Sequence, residues 1–131
     1  MATSRLNRPI SPHLTAYNMF RITSLLSILN RATGFGIGFG LLFMILWLGA
    51  AAYGPDAYAA VMPFLTSWFA WLVYLGVSGS LFYHYWNGIR FMIWDMGYGF
   101  ELPMVVKGGI VMALMTAATF ALFWAMAVSL L

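Results

Sequence analysis

The sequence predicts an all-α integral membrane protein with three transmembrane helices, forming part of a heteromeric helix bundle. Three observations carry this. Of 131 residues, 63% are hydrophobic and 7% charged, whereas a water-soluble domain uses roughly a quarter of its residues as charges. The charges fall between long apolar runs, and two stretches, 32–55 and 57–89, hold no charge at all. The six cations are also segregated: Arg5, Arg8, Arg21 and Arg31 precede or enter the first run, and Arg90 and Lys107 flank the loop after the second. The loop between the first two runs and the carboxy terminus carry none. Such asymmetry sets topology in a membrane, with the cation-rich side inside. The amino terminus and second loop are therefore expected to face the cytoplasm or matrix, and the carboxy terminus the outside.

The same composition excludes several functions. A net charge of +3 from scattered cations is not the basic stripe that nucleic-acid binding needs, so no nucleic-acid partner is expected. The absence of cysteine removes disulfides, thiolate iron–sulfur ligation and covalent haem attachment, and leaves histidine as the metal ligand to consider.

The whole chain, 1–131, reads as a single membrane-embedded domain. Segment 1–21 is polar, is broken by Pro9 and Pro12, and lies on the inner side. It lacks the apolar core and cleavage site of a secretory signal, and the serine-rich amphipathic character of a transit peptide. This favours a bacterial inner-membrane chain, with an organelle-encoded one as the alternative. The first membrane helix is expected over 22–53. At its start Thr23, Ser27, Asn30 and Gly34 share one helical face, with Arg31 four residues after Ser27. Two readings stand here: a helix end whose Arg31 reaches back to the headgroups, or a site where a hydroxyl and a cation meet a quinone carbonyl or a haem propionate. The 24 charge-free residues that follow cover roughly 36 Å, enough to cross the hydrocarbon core. Gly34/Gly38 and Gly36/Gly40 have the small-xxx-small spacing that lets a second helix approach closely.

A first loop is expected over 53–62, from Gly54, Pro55 and the lone acid Asp56. The second membrane helix follows over 63–94, with Pro63 near its start. It carries His84, the one histidine inside an apolar run. Gly76, Ser80, His84 and Gly88 recur at i, i+4, a stripe of small residues over which a flat cofactor could approach the backbone and reach the imidazole. The plainer reading is a neutral histidine hydrogen-bonded to a neighbouring helix. His84 lies six residues before Arg90, about 9 Å along the helix, which puts it in the apolar layer near the membrane face of Arg31. A second loop over 95–106 and a third membrane helix over 107–130, nearly without polar side chains, complete the chain.

Three helices do not enclose a haem or a channel by themselves, so a partner is expected. A haem on His84 would take its second axial ligand from another chain. A transporter or proton channel competes with this reading, although the runs hold no interior acid of the kind such relays need. A purely structural anchor would explain the glycines but not the convergence of Ser27, Arg31 and His84.

Two stretches together resemble a known family. Arg8-Pro9-Ile10-Ser11-Pro12-His13-Leu14 followed by Ser27-Ile28-Leu29-Asn30-Arg31-Ala32-Thr33-Gly34, and His84-x-x-x-Gly88-Ile89-Arg90-Phe91 followed by Trp94-Asp95-Met96-Gly97, are similar to the cytochrome b556 membrane-anchor subunits of succinate dehydrogenase, complex II. The resemblance implies a three-helix anchor that sits in membrane lipid, pairs with a second small hydrophobic subunit, holds haem b between them, and docks iron–sulfur and flavoprotein subunits on the inner face. It implies His84 as axial haem ligand, Ser27 and Arg31 as quinone-site residues, and Arg31 or Asn30 near a propionate. Asp95 and Arg90 would support the site, with Asp95 expected to pair with Arg90. Where the family has His before the arginine, this chain has Asn30, an amide that donates a hydrogen bond but carries no proton or charge. The implied activity is electron transfer from succinate oxidation to a quinone such as ubiquinone. Fumarate reduction by quinol, a haem-free structural anchor and a small transporter subunit are the alternatives.

Overall fold

The computed structural model describes residues 18–130. Arg5, Arg8, His13 and the first half of the amino-terminal motif lie outside the described residues. Four helices follow in order: α1 (Ile22–Tyr53), α2 (Pro55–Leu65), α3 (Trp68–Asp95) and α4 (Leu102–Ser129).

The helix boundaries have local causes. Helix α1 ends where Gly54 takes φ 118°, a conformation open to a residue without Cβ. Pro55 then starts α2, where its missing N–H costs nothing and its φ suits the first turn. The expected loop over 53–62 is thus largely helical, and Pro63 sits inside α2 rather than at the start of the next helix. Helix α3 begins at Trp68, capped by Ser67, whose hydroxyl accepts the Ala70 N–H at 3.3 Å. Gly97 and Gly99, with φ 87° and 80°, reverse the chain between α3 and α4. Helix α4 starts at Leu102, earlier than the expected 107, because Pro103 supplies a favourable first turn.

Helices α1 and α4 are each long and apolar enough to cross a membrane. Helices α2 and α3 meet that standard only as a pair, and they are bent by 80° at their junction. The described residues therefore provide two spans, or three if the bent pair is one.

Helix α3 packs against both α1 and α4. At one end of the bundle, Leu26 of α1, Tyr83 of α3 and Met112 of α4 form a small core, with Ile22 and Trp86 against it. The Tyr83 hydroxyl donates to the Leu26 carbonyl at 2.5 Å. Near the middle α1 and α3 approach through glycine. A Cβ on Gly36 would come within 2.8 Å of Ser80 Oγ, and one on Gly40 within 2.5 Å of a Val77 methyl. At the far end Phe43 lies 5.5 Å from Phe64 and 6.3 Å from Tyr74 between ring centroids, and Trp71 lies 5.8 Å from Trp124. Elsewhere large apolar side chains point outward, Phe35 being 88% exposed. This is the surface of a chain whose surroundings are lipid or other subunits.

Candidate functional site

The chain runs up and down, so the start of α1, the end of α3 and the start of α4 share one end of the bundle. There Ser27, Asn30, Arg31 and Arg90, four of the polar residues singled out in the sequence, converge on a cavity of about 390 Å³. Ser27, Asn30 and Arg31 come from one turn of α1, and Asn87, Arg90 and Trp94 come from two turns of α3. The i, i+3, i+4 spacing on α1 puts all three of its side chains on one face. Ser27 and Arg31 are exposed at the rim.

Asn87 holds the floor. It is 2% exposed, and its Nδ2 donates to Asn30 Oδ1 at 2.9 Å. With Asn30 Oδ1 so engaged, the amide N–H groups of Asn30 are the part of that side chain left to serve a ligand as donors. Arg90 is held from several directions. Its Nη2 donates to the Val105 carbonyl of α4 at 3.3 Å, its Nη1 lies 3.5 Å from Asn87 Oδ1, and its guanidinium carbon sits 4.2 Å from the Trp94 ring centroid. Its Nε is buried without a partner among the described residues.

Asp95 does not join this site. It is exposed and outside the cavity lining, and the expected pairing with Arg90 is not made. Five residues apart on a helix the two side chains diverge by about 140°. Arg90 turns instead to α4 and Trp94.

His84 lies outside the cavity lining. Its Nδ1 is 3.0 Å from Thr33 Oγ1 of α1 and 3.2 Å from the Ser80 carbonyl oxygen one turn back. A carbonyl only accepts, so Nδ1 carries the proton. Nε2 then bears the lone pair, and it makes no hydrogen bond among the described residues. It lies over Gly34, 3.7 Å from where a Cβ would stand. Gly34 also lines a groove of about 650 Å³ on α1, with Arg31, Phe35, Gly38, Phe39 and Leu42. Arg31 thus borders both the cavity and the groove. The expected slot along α3 is not formed as such. Ser80 is buried under Gly36, whereas a Cβ on Gly76 or Gly88 would meet no other side chain or helix within 4 Å. An i, i+4 row drifts by about 40° per step, so the four residues do not stay on one face, and the open groove belongs to α1.

These residues fit a haem in donor chemistry. A ring with Nδ1–H held by an acceptor and Nε2 free is the form in which histidine ligates iron. No group of three or more metal-ligating side chains occurs among the described residues, and a haem requires none, since the porphyrin supplies the equatorial nitrogens.

Asn87 and Thr33 went unnoticed in the sequence. An amide three residues after an intramembrane histidine was the available sign of Asn87, because such a group is costly at that depth unless paired. Thr33 gave no sign of its own, since a helical threonine ordinarily bonds back to its own helix.

The fold and these two openings define a small helical membrane protein that presents a free imidazole nitrogen and an amide- and cation-lined cavity. The chain belongs to the family described as succinate dehydrogenase/fumarate reductase transmembrane subunit, whose profile matches residues 4–123. It is 32% identical over 127 residues to the succinate dehydrogenase cytochrome b556 subunit of Paracoccus denitrificans, covering 92% of this chain and 97% of that one. It is 38% identical over 98 residues to the protein of the same name from Rickettsia felis, covering 75% of each. The succinate dehydrogenase cytochrome b560 subunit of Reclinomonas americana is 36% identical over 112 residues, covering 82% of this chain and 77% of its own length. The chain is thus a transmembrane subunit akin to those of an oxidoreductase complex.

Proposed function

We propose that this chain is the haem b-bearing anchor of a succinate:quinone oxidoreductase in a bacterial inner membrane. In this reading it crosses the membrane three times with its amino terminus inside, and it receives electrons from succinate oxidation through iron–sulfur and flavoprotein subunits. The observation that carries the reading is the gathering of Ser27, Asn30 and Arg31 with Asn87 and Arg90 around one cavity, at the end of the bundle toward which the described cations lie. By the positive-inside tendency, cations on that end support an inner-side location, where soluble partner subunits would dock.

In that cavity a quinone headgroup would meet a hydroxyl, an amide and a guanidinium at the rim. Ser27 donates a hydrogen bond to one carbonyl oxygen, and Arg31 places a positive charge beside the oxygen that gains electron density. A fixed cation and hydroxyl in a low-dielectric site stabilise that developing charge far more than water would. Asn87 and Arg90 hold Asn30 and the cavity floor in place. Quinone reduction takes up two electrons and two protons, and Ser27 at the open rim is placed to relay protons from the inner face. His84 would hold the iron of haem b through Nε2, and Arg31, which borders the groove beside Gly34, would pair with a propionate. When bound, the haem supplies a one-electron reservoir beside the quinone. A further iron ligand would come from a second small hydrophobic subunit, since His84 is the one histidine among the described residues.

The test is a reduced-minus-oxidised spectrum together with succinate:quinone reductase activity of the complex purified through this chain. His84→Ala is expected to abolish the b-type bands, and Arg31→Ala to cut quinone reduction on the order of 100-fold, the usual scale for losing one electrostatic stabiliser, with succinate oxidation by artificial acceptors preserved. A wild-type complex active with quinone but free of haem sinks the ligand role. Full quinone reduction in Arg31→Ala sinks the cavity assignment.

A further inference from the structure

Resting on the haem reading, the geometry points to Thr33 as a positioning residue that acts through His84, fixing the tautomer and plane of the imidazole by accepting its Nδ1–H. Four distances bear on where the protons lie. Thr33 Oγ1 lies 2.7 Å from the Leu29 carbonyl and 3.2 Å from that of Asn30. Both are acceptors, so the single hydroxyl proton goes back to α1. The lone pairs of Oγ1 are what remains for Nδ1 at 3.0 Å. The Ser80 carbonyl, at 3.2 Å from the same Nδ1, is likewise an acceptor and already takes a backbone N–H in the helix. With the Thr33 hydroxyl proton directed to α1, Nδ1–H is shared between two acceptors on two different helices, and this arrangement assigns the proton to Nδ1.

Two acceptors on different helices do what one does not. The Ser80 carbonyl moves with α3 and leaves the ring free to swing about it. Thr33 ties the ring to α1, the helix that carries Gly34 and Arg31. The orientation of Nε2 is thereby referenced to the same helix that lines the groove. An acceptor on Nδ1–H also makes the imidazole a stronger donor at Nε2, which stabilises the ferric form and lowers the haem midpoint potential. A purely structural threonine would have neither effect.

The experiment uses the assembled complex with Thr33→Val, which keeps the shape and removes the oxygen, and Thr33→Ser, which restores it. Haem content, the low-spin b-type spectrum and the midpoint potential are read, with assembly followed by copurifying flavin. Thr33→Val is expected to weaken haem retention about 10-fold, the lower end for losing a partner of a metal-ligating histidine, and to raise the midpoint potential. Thr33→Ser is expected to return both to wild type. In a His84→Ala background, where no haem is left to read, Thr33→Val should leave copurifying flavin at the level of His84→Ala alone, which separates action through the ring from a folding defect. Unchanged retention and potential in Thr33→Val, in a complex whose haem still depends on His84, overturns the role of Thr33 and leaves the haem reading intact. A wild-type haem signal that survives His84→Ala overturns that reading and this inference with it. Should Thr33→Val fail to assemble, Thr33→Ala is measured in its place, and a further loss of copurifying flavin when it is combined with His84→Ala would overturn the inference.

Discussion

The two ends of the α1–α3 contact are held by different means. At the cation-bearing end the helices are joined by directed polar contacts: Asn87 to Asn30, Tyr83 to the Leu26 carbonyl, and Thr33 to His84. At the other end the contact is made of shape, with Gly40 admitting Val77 and Phe43 set among Phe64, Phe69 and Tyr74. Lipid is as apolar as a side chain, so close packing and hydrogen bonds do the joining that water exclusion does in soluble proteins. Packing alone tolerates small shifts in register, whereas a pair of amides does not. The end joined by hydrogen bonds is the one that carries the proposed ligand site.

The comparison can be broken hardest at the glycines. Gly40→Leu is expected to part α1 from α3 and abolish assembled complex in membranes, because Val77 is β-branched and stiff where the new side chain would stand. Gly49→Ala, where nothing lies within 4 Å, should accumulate normally, and blue-native gels of the two distinguish packing faces from open ones. Next in size, Asn87→Leu should destabilise by about 1–3 kcal/mol, the range for stranding a buried polar partner, read from thermal unfolding of the detergent-purified complex. A cycle of Asn30→Leu, Asn87→Leu and the double variant should give a coupling of about 0.6 kcal/mol, typical for intramembrane hydrogen bonds. Strict additivity would mean that the two amides do not act as a pair. The smallest effect is expected at the far end. Trp124→Phe removes the 2.9 Å bond from its Nε1 to Ser78 Oγ while keeping a ring in place, and should cost about 0.5 kcal/mol with quinone reduction unchanged.

The sequence made the polar end readable one helix at a time. Ser27, Asn30 and Arg31 fall on a single turn, and helical spacing is enough to group them. What spacing cannot supply is which residues of α3 face them. Reading α3 by fours selected Gly76, Ser80, His84 and Gly88. The side chains it buries in its lower half are Ser80, Tyr83 and Asn87, the alternating three-and-four pattern of a helix packed on a neighbour. The loop expectation for 53–62 failed for a related reason. Pro55 and Asp56 serve equally as turn residues and as the first turn of a helix, and only the backbone at Gly54 distinguishes the two. The pairing of Asp95 with Arg90 was expected from proximity in sequence, and it lost to a carbonyl on α4 and an indole face that no local pattern reveals.

The 80° bend between α2 and α3 has a mechanical consequence. Two helices joined by two residues at nearly a right angle cannot both follow the bilayer normal. If α3 runs across the membrane, α2 lies along its surface like the crossbar of a T. Sliding α3 along its axis would then drive that crossbar broadside into the hydrocarbon or lift it out into water. In that arrangement the depth of His84, sixteen residues beyond the start of α3, would be gauged from the opposite face of the membrane, by a helix that lines no part of the cavity.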